Sequence, residues 1–135
     1  MKQSVNLKNF LNLSYTIAIV GASNNPTKYG NKVYKDLKNA GYHVIPINLT
    51  GQQIDGDSAY SQLSDYPDKI DVVCIVVPPK ITLQILKEAL QLQISKIWLQ
   101  PGSANNRCIQ FAKQHNLQIV YNQCIMLNRL NVSTG

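Results

Sequence analysis

Two stretches of this chain, Thr16–Val20 (TIAIV) and Asp71–Val77 (DVVCIVV), are almost unbroken runs of β-branched and other apolar residues. A strand with one face in water alternates apolar and polar residues, whereas a strand without a polar face is covered on both sides. Strands of that kind belong to a parallel sheet lying between layers of helices. Three further runs read as strands: His43–Ile47 (HVIPI), Lys96–Gln100 (KIWLQ) and Gln118–Tyr121 (QIVY). Helical stretches fall between them at Tyr29–Ala40, Ile81–Gln93 and Ala104–His115. Alternation at this spacing builds βαβ units with right-handed crossovers. The expectation is a three-layer α/β domain around a five-stranded, mainly parallel sheet.

The helices carry the pattern this requires. At about 100° per residue, Tyr29, Gly30, Val33, Tyr34, Leu37 and Ala40 share one side of the first helix, and Lys28, Lys32, Lys35 and Asn39 the other. Gly41 supplies the stop signal. The third helix gathers Cys108, Phe111, Ala112 and His115 on one face, with Ser103 as its expected N-cap. The middle helix is different. Ile81, Leu83, Ile85, Leu86, Ala89, Leu90 and Leu92 cover more than half its circumference, while one sheet face needs only a stripe of about 100°. The surplus suggests a second partner: another copy of the chain in a homodimer, a neighbouring loop, or the amphipathic segment Ser4–Leu13 folded over one edge.

With 135 residues the chain has the size of one domain, expected to span residues 1–135 with residues 1–14 a helical segment packed on it. Apolar residues at 44% against 15% charged are enough to build a core, so disorder is excluded as the main state. No apolar run approaches the about 20 residues of a membrane span, and the N-terminus lacks a signal-peptide core. A soluble, cytoplasmic protein is the expectation. Cys74, Cys108 and Cys124 are odd in number and widely spaced, which fits neither a disulfide scaffold nor a zinc site. The +6 net charge is uneven: residues 1–50 hold six Lys and one Asp, residues 51–95 three Lys and six acids, and residues 96–135 four basic residues and no acid. Such a balance suits an anionic partner near the first third of the chain.

The segment after the first strand, Gly21-Ala22-Ser23-Asn24-Asn25-Pro26-Thr27-Lys28-Tyr29-Gly30, holds the most chemistry. It leaves a buried strand, turns through small residues and opens a helix, so backbone N–H groups and the positive helix end converge where a phosphate can sit. Gly21 lets the backbone turn, Ala22 and Ser23 admit a close ligand, and Gly30 brings the helix against the strand. Lys28 adds a cation at the loop's end. Gly21 and Gly30 lie nine apart, so this is not G-x-G-x-x-G, and no Gly-Lys-Ser/Thr makes it a P-loop. The second strand ends at Asn48, where NAD-binding folds place an acid for the ribose hydroxyl, so NAD is disfavoured. The third strand runs into Val77-Pro78-Pro79-Lys80, read as a rigid apolar turn with a second cation, and the fourth into Gln100-Pro101-Gly102.

These segments, G-A-S-x-x-P-x-K-x-G, then G-Y-x-V-x-P-I-N, then I-D-x-x-x-I-V-V-P-P-K, then K-I-W-L-Q-P-G, together resemble the small stand-alone CoA-binding proteins. That family has a Rossmann-like fold similar to the CoA-binding domain of succinyl-CoA synthetase α subunits. The resemblance runs from about Thr16 to Cys124. It implies coenzyme A or an acyl-CoA as ligand, with Gly21, Ala22, Ser23, Pro26 and Lys28 cradling its phosphates. Tyr29, Gly30, Asn48, Val77, Pro78, Pro79, Lys80 and Gln100 complete the expected site. Two departures stand out. The ending Cys124-Ile125-Met126-Leu127-Asn128-Arg129-Leu130 lacks the acid and His of a C-x-x-x-E-H-x-R-L pattern, and Leu49-Thr50-Gly51 follows Asn48 where relatives carry a proline.

No catalytic or metal-binding set emerges. His43 begins a strand, His115 ends a helix, Glu88 is mid-helix on the polar face, and the aspartates punctuate turns. Cys74 and Cys108 read as inert core residues, and Cys124 falls at the cleft end of the sheet. The expected function is non-enzymatic CoA binding. The rival readings are an NAD(P)-binding oxidoreductase or redox-sensing regulator, and nucleic-acid binding through the lysine-rich first third, which lacks any recognition motif.

Overall fold

A computed structural model describes residues 6–133. Five strands, β1 (Thr16–Val20), β2 (His43–Ile47), β3 (Val72–Ile75), β4 (Lys96–Leu99) and β5 (Gln118–Tyr121), form one sheet in the order β2-β1-β3-β4-β5. Every pairing is parallel. Side-chain alternation splits the sheet into two cores. Ile17, Ile19, Val72, Cys74, Trp98 and Val120 face one layer; Ala18, Val20, Val73, Ile75, Ile97 and Leu99 face the other. The first core is closed by α1 (Tyr29–Asn39) and α4 (Ile125–Ser133), the second by α2 (Pro79–Gln91) and α3 (Asn106–Gln114). This is the Rossmann-like α/β architecture that the unbroken apolar strands demand. Among the described residues no helix is long and apolar enough to cross a membrane.

Chain order reverses direction between β1 and β3, which are neighbours although β2 intervenes in sequence. In open parallel sheets that reversal opens a crevice at the carboxyl ends of the strands. Pro46 sits in β2, an edge strand, where the missing N–H costs no ladder bond.

Several expectations are corrected in detail. The helix α2 begins at Pro79 rather than Ile81, because a proline at the first helical position lacks only an N–H that the helix does not use. Pro78 and Pro79 are thus its cap and first residue, not a free-standing turn. Asn105, not Ser103, caps α3, accepting from the Cys108 N–H at 3.0 Å. Ser103 is buried, with its carbonyl 2.6 Å from the Thr82 hydroxyl.

The N-terminal expectation also changes. Residues 4 and 5 of Ser4–Leu13 lie outside the described residues, and the rest is a 3-10 turn at Leu7–Asn9 followed by Phe10 and Leu11. Phe10 is fully buried with its ring edge-on to Trp98, on the α1/α4 side of the sheet. It therefore leaves α2, on the opposite side, uncovered. Much of that helix's surplus is used elsewhere: Leu83 and Leu90 pack against the core on this side of the sheet, and Ile81 and Ile85 face the crevice. Helix α4 has no counterpart in the sequence pattern, because Ile125, Met126, Leu127 and Leu130 do not line up on one stripe.

Candidate functional site

The crevice is a cleft of about 480 Å³ at the carboxyl ends of β1, β2 and β3. One wall is apolar, built from Val20, Ile47, Val76, Val77, Ile81 and Ile85; Ser23, Lys28, Thr50 and Ser61 supply polar groups. Of the residues expected in the site, Gly21, Ala22, Ser23, Lys28, Tyr29, Gly30, Asn48 and Val77 line this cleft. Pro26, Pro78, Pro79, Lys80 and Gln100 stand outside its lining.

Two glycines set the geometry. Gly21 has φ +99°, and a Cβ there would lie 2.7 Å from the Val76 carbonyl oxygen. The first strand can turn into the loop, hard against the end of β3, only without a side chain. At Gly30 a Cβ would overlap the Gly21 carbonyl. Helix α1 thereby presses its first turn onto the loop.

The loop leaves donors available. Among the described residues, no protein acceptor takes the backbone N–H of Ala22, Ser23 or Asn24. Lys28 caps α1 in an extended conformation without a side-chain cap bond, so the helix's positive end is open as well. The loop carbonyls, by contrast, are engaged: Asn48 Nδ2 donates to the Ala22 oxygen and Asn31 Nδ2 to the Ser23 oxygen, each at 2.9 Å. Asn48 Oδ1 accepts from the N–H and hydroxyl of Thr50. Asn48, expected along the nucleotide cleft, thus has both ends of its amide engaged in shaping the loop.

Gln100 is buried completely. Its Oε1 accepts from the Ile125 N–H at 2.8 Å, and its Nε2 donates to the Tyr29 hydroxyl at 3.1 Å. Tyr29 in turn donates to Cys124 Sγ at 2.8 Å. Burial pushes the Cys124 thiol up, but bonds from Tyr29, from the N–H groups of Leu127 and Met126 and from Gln100 outweigh it and hold the thiol below its ordinary value. Burial first, and then the sulfur beside it, drive the Tyr29 hydroxyl far up, so it stays protonated and donating. Cys74 is the opposite case: burial, with a further push from the neighbouring Cys124, drives its thiol up and leaves it inert.

Sequence reasoning missed Thr50, Ser61, Ile81 and Ile85 in the cleft, and Asn31 behind it. The excess apolar surface of α2 was the available signal for Ile81 and Ile85. Asn31 carried none, because its role depends on a carbonyl eight residues earlier. Glu88 and the aspartates also have partners that spacing did not reveal. Glu88 accepts from the Leu63 and Ser64 N–H groups, and Asp57 holds Tyr34 and Lys38. Among the described residues no cluster of His, Cys, Asp or Glu is arranged to hold a metal ion.

The chain belongs to the CoA binding domain family, whose model matches residues 15–129. It is 29% identical over 119 residues to an uncharacterised protein of Bacillus subtilis, covering 88% of each chain. It is also 29% identical over 120 residues to the α subunit of the ADP-forming acetate–CoA ligase II from Pyrococcus furiosus, covering 81% of this chain but only 26% of that subunit. The chain thus spans about a quarter of that ligase subunit. Among solved structures, a conserved hypothetical protein of Pyrococcus furiosus superposes with TM-score 0.81 at 38% identity, covering 84% of this chain and 98% of that one. A dinucleotide-forming acetyl-coenzyme A synthetase of Ca. Korarchaeum cryptofilum, solved with phosphate and ADP, gives 0.72 at 25% identity, over 85% of this chain and 27% of that one.

Proposed function

We propose that this chain binds coenzyme A or an acyl-CoA as a cytoplasmic, non-enzymatic module. The phosphates sit against the Gly21–Lys28 loop and the open end of α1, and the apolar wall of the cleft takes an uncharged part of the ligand. The observation that carries this reading is the meeting, in one cleft, of the Ala22 and Ser23 N–H groups, which have no protein acceptor among the described residues, and a helix N-terminus without a side-chain cap. Together they form a site for a polyanion. Membership of the CoA binding domain family supports the choice of ligand. The NAD reading loses its anchor, since Asn48 stands where the ribose-binding acid belongs and both ends of its amide are in use.

Calorimetric titration tests the proposal. CoA should bind more tightly than NAD or ATP, and native mass spectrometry of freshly purified protein should find CoA or an acyl-CoA retained. Binding of NAD without binding of CoA overturns it.

A further inference from the structure

We infer that Asn31 and Asn48 are positioning residues for the anion loop: their side-chain amides pin the Ser23 and Ala22 carbonyls, so that the loop N–H groups are presented to the ligand. The inference rests on the CoA reading above and names how that site is held in its binding form.

The argument begins with the peptide bond. It is planar and trans, so a carbonyl and the N–H of the next residue point in opposite directions. Pinning the Ala22 oxygen therefore fixes the Ser23 N–H, and pinning the Ser23 oxygen fixes the Asn24 N–H. In a glycine-led loop of small residues either peptide plane is otherwise free to flip, and a flipped plane offers an anion a carbonyl oxygen, which repels it. The two amides remove that freedom before any ligand arrives.

The placement of the two asparagines fits this task better than a packing role. Asn31, in the first turn of α1, is only 5% exposed, a position that an apolar side chain would fill at less cost. Its Nδ2 reaches back to the Ser23 oxygen at 2.9 Å. Asn48 closes the end of β2 and reaches the Ala22 oxygen at the same distance, while Thr50 fixes the rotation of its amide. A third asparagine secures the next residue. Asn24 Nδ2 donates to the Gln53 carbonyl at 2.6 Å, and its Oδ1 accepts from the Asp55 N–H at 2.9 Å. Three consecutive loop residues are each tied by one amide, and none of these bonds uses a loop N–H.

The test combines calorimetry with amide NMR on the full chain and CoA as the probe. In the wild-type chain CoA should move the Ser23 and Asn24 N–H signals downfield. Asn31→Leu and Asn48→Leu should each lower CoA affinity at least about ten-fold, and should abolish that downfield shift while core signals such as that of Val73 stay in place. If Leu at position 31 prevents folding, Asn31→Ala removes the donor without adding bulk or charge, and the same loss is expected there. Folded variants that bind CoA within two-fold of the wild type, or that keep the downfield shift, overturn this inference and leave the CoA reading intact. A wild-type chain that takes up no CoA overturns both.

Discussion

The chain leaves β1 and β3 side by side at the same end of the sheet and treats the two exits in opposite ways. After β1, the eight residues from Gly21 to Lys28 form a loop in which the N–H groups of Ala22, Ser23 and Asn24 have no protein acceptor among the described residues, with an uncapped helix behind it. After β3, three residues lead directly into α2, whose cap and first residue are both prolines. Proline has no N–H, so that helix end offers fewer donors. The Thr82 hydroxyl lies within bonding distance of the Val77, Pro78 and Ser103 carbonyls, and the exit contributes the apolar side of Val77 to the cleft. The remaining helix starts are occupied. Asn105 caps α3, while Gln100 and Cys124 take the first N–H groups of α4. A Rossmann-like sheet brings several positive helix ends to one side, and the local sequence selects which of them is left open.

The largest test of this contrast is Gly30→Ala. The added methyl overlaps the Gly21 carbonyl, so the loop must move. A loss of about 1–3 kcal/mol of stability and no detectable CoA binding are expected from thermal melts and calorimetry. Full CoA affinity in this variant would erase the distinction between the two exits. Gly21→Val should be at least as severe, since it adds positive-φ strain to contact with the Val76 carbonyl; the fold is not expected to tolerate it as a simple surface loop would.

A smaller effect compares the two lysines. Lys28 lines the cleft and Lys80, in the first turn of α2, does not. Lys28→Ala should weaken CoA binding by about ten-fold, or ~1.4 kcal/mol, with the loss fading as salt is raised. Lys80→Ala should change it less than about two-fold, the scale of a rim charge. Equal losses would make the α2 exit part of the anion site.

The smallest concerns Cys124, beside the cleft rather than in its lining. A thiol held below its ordinary value is a thiolate at lower pH, so its alkylation rate should rise with pH at a midpoint under that of a free cysteine. Tyr29→Phe removes the largest hydrogen bond favouring the thiolate, and the midpoint should move up, slowing alkylation at neutral pH. Iodoacetamide labelling followed by mass spectrometry reads both. An unchanged midpoint would show that the helix end and Gln100 alone set the thiol.

Much of this was legible in the residues. The runs at Thr16–Val20 and Asp71–Val77 required a covered parallel sheet, and the small residues of Gly21–Lys28 marked the turn that opens the cleft, because both are properties of neighbours in sequence. The start of α2 was misplaced by two residues because Pro78–Pro79 reads equally well as a turn and as a helix entry. Helix α4 went unread because it is held by Arg129 on Asp36 and by Ile125 on Gln100, contacts to residues 93 and 25 positions away, rather than by a stripe of its own.

Five strands, the three helices between them and the small-residue turn after β1 were legible in the residues, since each follows from local pattern and covalent geometry. What the polar residues around that loop do is settled by the fold. Asn48 holds the Ala22 carbonyl, Asn31 holds the Ser23 carbonyl, and Gln100 joins Tyr29 to α4. A side-chain amide donates or accepts according to what the fold brings within 3 Å of it, and no spacing along the chain records that.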